Sequence, residues 1–327
     1  MQSNSNSSEQ SNETLTKVSV VMSVYDQPGQ VKQTIASVLA QKGVELEFVI
    51  VDDGADNAVK SEINQYKTDS RFVLIEQENQ GLTKALIKGC KRSSHDYIAR
   101  IDAGDTMSVN RLHIQSQLLD ENDDIGLVSS WVSIQTVEGY HLYDVKHDAI
   151  DLQSAVTSID AETIKTPIHA SVMMRKSIYQ QAGGYRPEFY FAQDCDLWAR
   201  MSCLCQFAVV PQILTHGIFS HFGISGRYKS AQSNLTKLIA ESNRLRQKGD
   251  NESQILEKAR TIRPVEFDAN DDSKLSEFPS LYFIARCLSR NRSRYAKKYW
   301  CRAVTKKPWS FFSWVNLIVS LFYLRAT

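Results

Sequence analysis

Residues 18–53 read VSVVMSVYDQPGQVKQTIASVLAQKGVELEFVIVDD, and the fold class follows from this stretch. Val18–Val24 is a continuous apolar run rich in β-branched residues, the pattern of a strand buried on both faces. Pro28 and Gly29 break the run, and Val31, Ile35, Val38 and Leu39 then recur at helical spacing. Leu46–Val51 is a second apolar strand. Strand, helix and strand in such close succession predict parallel pairing through a right-handed crossover.

The alternation continues downstream. Phe72–Ile75 and Tyr97–Ile101 read as third and fourth strands, with helical stretches over Asn57–Lys67 and Leu82–Lys91. After Asp105 the pattern loosens. Val109–Leu119 reads as helix and Gly126–Ile134 as strand, while residues 136–166 carry no clear period and suggest an excursion covering a substrate. Ser171–Met174 reads as a short strand, followed by a helix to Ala182 that stops at Gly183-Gly184. Asp194–Cys203 reads as a helix. From about Ser230 onward the chain is helical in character, which suggests an α/β domain over 17–229 and a helical region over 230–327. No internal repeat is visible.

A chain of 327 residues can bury a sizeable core. Its 38 basic and 37 acidic residues give a net charge of +1, which argues against a dedicated nucleic-acid binder. The six cysteines form no CxxC pair, so reduced and mostly buried thiols of a cytoplasmic protein are expected rather than a disulfide framework or a zinc site. Residues 1–16 are rich in Ser, Asn, Gln and Glu and read as a disordered leader without the features of a signal peptide. Trp309–Leu324, WSFFSWVNLIVSLFYL, follows Lys306 and Lys307. It is short of the roughly 20 residues needed to span a bilayer, so it reads as a buried helix or an interfacial one, with peripheral membrane contact as one expectation.

In an open parallel sheet, ligands bind at the carboxyl ends of the strands. Tyr25-Asp26 follows the first strand here, Asp52-Asp53-Gly54 the second, and Asp102-Ala103-Gly104-Asp105 the fourth. Three acidic clusters thereby converge on one sheet edge, where like charges need a compensating cation or hydrogen-bond donors. A hard divalent metal with oxygen ligands answers that need. Asp is also a common turn or cap residue at strand ends, which is the structural alternative for any single cluster. No GxxxxGK[ST] loop is present, so ATP hydrolysis of the P-loop kind is not expected.

The segments VSVVMSVYDQPGQVKQTIASVLAQ, FVIVDDGADN, ENQGLTKAL and YIARIDAGDTM, followed by TPIHASVMMRKSIYQQAGGYRPEFYFAQDCDLWARM, together resemble the family 2 glycosyltransferases of GT-A fold. The resemblance covers about residues 17–225, with its motifs in the family's order. It implies a Rossmann-like, mostly parallel sheet and inverting transfer from a nucleotide-activated sugar. It also implies a saccharide or lipid-linked acceptor, and a role in surface polysaccharide or glycan synthesis.

Carried over by motif, the resemblance puts Tyr25 in the base pocket and Asp53 on the nucleotide base or ribose, with Asp52 shaping the turn. Asp26 stands where the family usually has Asn. Asp102 and Asp105 match the ends of the metal motif, and Gly104 stands where Asp is common. That departure leaves Asp105 as the direct ligand of Mn2+ or Mg2+, with Asp102 nearer the ribose. Asp194 matches the general base and Gln193 replaces the preceding Glu. From the residues alone, a cap on the helix that follows is the favoured reading of Asp194. His169, Gly184 and His221, the last with Ser225, match stretches that position the acceptor or the diphosphate. For His169, a histidine satisfied within the fold is the alternative. Arg100 could contact phosphate or form an ion pair. Trp198 reads as core.

Two other readings compete with catalysis by glycosyl transfer. A sugar-phosphate nucleotidyltransferase shares the sheet type, but its glycine-rich basic loop is missing from VYDQPGQ. A non-catalytic nucleotide-sugar-binding partner in a polysaccharide assembly complex is favoured by Gly104 and Gln193.

Overall fold

The computed structural model describes residues 15–25, 29–148, 166–219, 228–263 and 277–321. The first half alternates as expected: β1 (Thr16–Val24), α1 (Val31–Leu39), β2 (Val44–Asp53), α2 (Asn57–Asn64), β3 (Phe72–Gln77), α3 (Leu82–Arg92) and β4 (Tyr97–Arg100). β1 pairs in parallel with β2 on one side and β4 on the other, and β3 extends the sheet beyond β2. The two-residue period of a strand sends alternate side chains to opposite faces. Val18, Val20 and Met22 join Ile35 and Val38 of α1 in one core, while Val21 and Val49 join Leu86 and Cys90 of α3 in a second. A strand buried on both faces needs apolar residues at every position, hence the unbroken run.

The second half contains β5 (Thr106–Met107), α4 (Arg111–Asp120), β6 (Ile125–Gln135), β7 (His141–Val145), β8 (Met173–Arg175), α5 (Lys176–Gln181), α6 (Gln193–Met201) and β9 (Gln206–Ile218). Among the described residues one sheet of nine strands runs in the order β3-β2-β1-β4-β8-β6-β9-β5, with β7 paired to β6. β8 lies antiparallel to both β4 and β6, whereas β6 and β9 are parallel, so this half is mixed.

Sequence pattern misses β9 altogether, although it has 13 residues. Pro211 interrupts it, and proline normally argues against an interior strand. Here Ser130 faces Val210 and Trp131 faces Ile213, so Pro211 falls at a register shift where no ladder donor is required. The expected Ser171–Met174 strand begins two residues later, because His169–Ser171 forms a turn of 3₁₀ helix.

Beyond β9 the described residues are helical: α7 (Lys229–Lys248), α8 (Ser253–Thr261), α9 (Phe278–Arg290), α10 (Ala296–Lys306) and α11 (Phe311–Ser320). Leu235, Ile239 and Ala259 of α7 and α8 enter the second core beside Leu197 and Trp198. α9 and α10 build a third core around Trp300 and Tyr299 with Leu142 of β7. Among the described residues no helix is long and apolar enough to cross a membrane. Among the described residues no disulfide forms, and of the six cysteines Cys90 is buried while Cys203 and Cys301 are exposed. The expectation of mostly buried thiols is corrected accordingly.

Candidate active site

The acidic residues sit at one edge of the sheet because β1, β2 and β4 run the same way and end together. Asp52 closes the turn after β2 by accepting the Ala55 N–H at 2.7 Å. Asp53 is buried and accepts from Gln77 Nε2 at 2.7 Å and from the backbone N–H groups of Gln80 and Gly81 at 2.8 and 2.9 Å. Its carboxylate thereby holds the loop between β3 and α3 against the end of β2. Tyr25 follows β1 with 55% of its surface exposed, leaving its ring open to a planar ligand. Asp26 and His221 lie outside the described residues.

After β4 the chain makes a tight turn in which the Asp105 N–H donates to the Asp102 carbonyl at 3.1 Å. Gly104 lies at φ +98° within this turn and donates its N–H to Thr34 Oγ1 at 2.9 Å. A side chain rarely tolerates that backbone conformation, which gives a physical reason for glycine at this place in the motif. Gly104→Asp is therefore expected to lower stability by about 1–3 kcal/mol, read as a lower urea midpoint with an unchanged slope.

Two buried arginines lie beneath the turn. The Arg100 guanidinium pairs with the Asp102 carboxylate at 2.5 Å, and its Nε has no hydrogen-bond partner among the described residues. Arg111, the first residue of α4, donates to the carbonyls of Ala170, Arg100 and Val172 at 2.8, 3.0 and 3.1 Å. Burial depresses its pKa to about 9. Asp105 accepts the Ile218 N–H of β9 at 2.9 Å. Burial, followed by the Asp102 charge, raises its pKa to about 8, against the pull of Ile218, Arg100 and Arg111. A carboxyl so raised is readily ionised by a cation placed beside it.

His169 is buried, with Nε2 2.6 Å from the Tyr185 hydroxyl and edge contacts to the Tyr185 and Trp198 rings. Burial and the nearby Arg100 charge lower its pKa to about 3, so the imidazole is neutral at ordinary pH. Gly184, at φ +68°, makes the left-handed turn before Tyr185, and a Cβ there would stand 2.9 Å from the Tyr179 hydroxyl. Gly183 is left-handed as well.

Asp194 lies in the first turn of α6 and accepts the N–H of Cys195 at 2.8 Å. The cap position itself is Ala192, with no side-chain cap, so Asp194 is not the N-cap. Its pKa is raised, mainly by burial, and the Asp102 charge adds to the shift. Two residues on, Asp196 is fully buried and serves a different purpose, pairing with Arg186 and with Arg200.

Pattern reading passed over Arg111 and Thr34. The signal available for Arg111 was its place at the head of α4, one residue before the buried Leu112, where an uncompensated cation is out of place.

Among the described residues no group of three or more metal-ligating side chains gathers. Asp102 is held by Arg100, whereas Asp105 offers a carboxylate that burial leaves in want of a cation. These donors suit a hard cation shared with ligand oxygens and water rather than one caged by protein alone.

The family model described as Glycosyl transferase family 2 matches residues 19–183, half of the chain. The chain belongs to that family. An uncharacterized glycosyltransferase of Rickettsia bellii is 29% identical over 187 residues, which is 57% of this chain and 26% of that protein. The chain thus spans about a quarter of the length of that relative. The UDP-Gal:alpha-D-GlcNAc-diphosphoundecaprenol beta-1,3-galactosyltransferase of Escherichia coli is 27% identical over 216 residues, covering 62% of this chain and 74% of its own length. The mannosyltransferase PcManGT of Pyrobaculum calidifontis, solved with GDP-Man and Mn2+, matches with a TM-score of 0.56 and 14% identity. That match covers 95% of this chain and 86% of the mannosyltransferase, and it establishes the GT-A fold expected from the motifs.

Proposed function

We propose that this family 2 chain moves a sugar from a nucleoside-diphosphate donor to an acceptor hydroxyl in one inverting displacement. The observation that carries the reading is the row of acids, Asp53, Asp102 and Asp105, at the carboxyl ends of the parallel strands β2 and β4. Inverting displacement needs a base on the face of the sugar opposite the leaving diphosphate. A carboxylate from the acceptor half, facing the acidic edge of the nucleotide half, suits that need.

In this reading Tyr25 stacks on the base, the Asp52-Asp53 loop borders the nucleoside, and Asp102 reaches the ribose. Neutral His169, Gly184 and His221 shape the space for the acceptor and the phosphates. Asp194 accepts the proton of the attacking hydroxyl as oxygen bonds to the anomeric carbon and the nucleoside diphosphate departs. Asp105 would hold Mn2+ or Mg2+, which supplies Lewis-acid stabilisation of the leaving diphosphate. The acceptor named for the Escherichia coli relative, a saccharide on diphosphoundecaprenol, supports a lipid-linked saccharide acceptor and surface-glycan synthesis.

Titration with UDP and GDP in the presence of Mn2+, repeated with excess chelator, tests the metal. We expect the affinity to fall on chelation, and Asp105→Asn to weaken binding more than Asp102→Asn. Unchanged affinity under chelation would remove the cation from the site. Glycine at position 104 favours a second reading, in which the chain binds a nucleotide sugar without turnover. A chain that binds donor tightly and releases no nucleoside diphosphate with any lipid-linked or oligosaccharide acceptor would establish that reading instead.

A further inference from the structure

The last fifty residues differ from everything before them. Residues 278–327 contain ten Lys and Arg and no Asp or Glu, leaving 28 basic against 37 acidic residues in the preceding 277. A near-neutral chain is therefore an acidic body carrying a strongly basic end. Arg286, Arg290, Arg294, Lys297, Arg302 and Lys306 are all exposed on or between α9 and α10. Among the described residues of this end, carboxylate partners exist for Lys298, with Glu138 at 3.1 Å, and Lys306, with Glu277 at 3.0 Å.

α11 follows this basic surface with its polarity reversed. It buries Ser313 and Ser320, while Phe311, Phe312 and Ile318 are 72%, 68% and 56% exposed and Trp314, Val315 and Val319 are exposed as well. Trp309 precedes it at 77% exposure. A helix in water turns its apolar stripe inward. One that presents serines to its own protein and aromatics outward is built for an apolar surrounding. Ten residues extend only about 15 Å, half of a bilayer's hydrocarbon core, so such a helix lies in the interface and does not cross it. Tryptophan and phenylalanine beside lysine and arginine is the composition that interface favours.

We infer that α11 and the basic surface of α9 and α10 dock the protein on an anionic phospholipid bilayer. The apolar face enters the boundary between headgroups and acyl chains, while the basic residues lie against the lipid phosphates. A second copy of the chain would meet the same cluster of cations, so charge complementarity favours the anionic surface over self-association. Because α9 packs on β7 in the catalytic half, docking here would hold the transferase domain close to the bilayer. The inference stands on the helix face and the charge, independently of the proposed chemistry.

Flotation of the full chain with vesicles tests it. One set is phosphatidylcholine alone and the other is phosphatidylcholine and phosphatidylglycerol in equal parts. The protein is expected to float with the anionic vesicles at low salt, and less with the neutral ones. Phe311→Ser/Phe312→Ser/Ile318→Ser should cut partitioning at least about tenfold, and Arg294→Gln/Lys297→Gln/Arg302→Gln should remove the preference for anionic lipid. All six residues are exposed, and circular dichroism checks that the variants fold. Any of the following results would overturn the inference. The chain stays at the bottom with anionic vesicles at low salt; or the serine variant floats like the parent; or sedimentation equilibrium shows a dimer that the serine variant breaks while no vesicles are bound. Retention by soluble dextran sulfate without flotation would likewise overturn it in favour of a polyanion partner.

Discussion

Asp194→Asn is expected to lower turnover by about 10² or more while leaving the affinity for nucleoside diphosphate nearly intact. Asn fills the same volume and can accept the Cys195 N–H that Asp194 now accepts, so the first turn of α6 survives. What is lost is the capacity to take a proton. Burial, with a smaller contribution from the Asp102 charge, raises the Asp194 pKa above its ordinary value. The base works only when ionised, so activity should fall as pH drops through that raised value. The acid limb of kcat should therefore lie above the range of an exposed aspartate, and Asp194→Asn should abolish it. Steady-state kinetics across pH, with donor binding measured by titration, checks both. Turnover within a few-fold of the parent, in a folded variant, would place the base elsewhere.

Asp196→Ala, two residues along the same helix, is expected to act on stability instead, costing about 3–5 kcal/mol. Asp196 is wholly buried, and Arg186 Nε reaches both of its oxygens, at 3.1 and 3.0 Å. Arg200 Nη2 stands 2.6 Å away on the other side. Removing the carboxylate leaves the shielded Arg200 without its anion and Arg186 with Glu252 alone. The same cluster ties α6 to the following helices, since Arg186 and Arg246 both contact Glu252, at 3.1 and 2.9 Å. Burial works to raise the Glu252 pKa, but hydrogen bonds from Arg246, Ser242 and Arg186 win and lower it to about 2. A depressed carboxylate stabilises the fold above its unfolded value of 4.5, and that contribution is lost as pH falls from there toward about 2. Chemical denaturation of Asp196→Ala at neutral pH, and of the parent between neutral and acid pH, reads out both effects. Asp196→Ala with parental stability would show that the arginines find other partners.

The contrast between these neighbours marks the reach of pattern reading. Both look alike in QDCDLW, and helical geometry alone says that they face apart. That one would have its pKa raised by burial and the other be locked between arginines depends on the segment around Arg186 and on α7, which local spacing does not reveal. The strands β1 to β4 were legible because burial on both faces demands apolar residues at every position. The acids after them were legible because parallel strands end on the same edge. β9 was hidden because Pro211 breaks the local signal while a register shift accommodates it.

Residue types and their order were thus enough for the first half of the sheet, its acidic edge and the family resemblance, since these follow from short-range periods and from motifs along the chain. Long-range packing alone gave the rest. It set the left-handed backbone that calls for glycine at 104, the burial that keeps His169 neutral and Asp105 hard to ionise, and the partners of Asp196. It also determined which side of α11 faces outward, since a helix shows its own stripe in the sequence but not what lies against it.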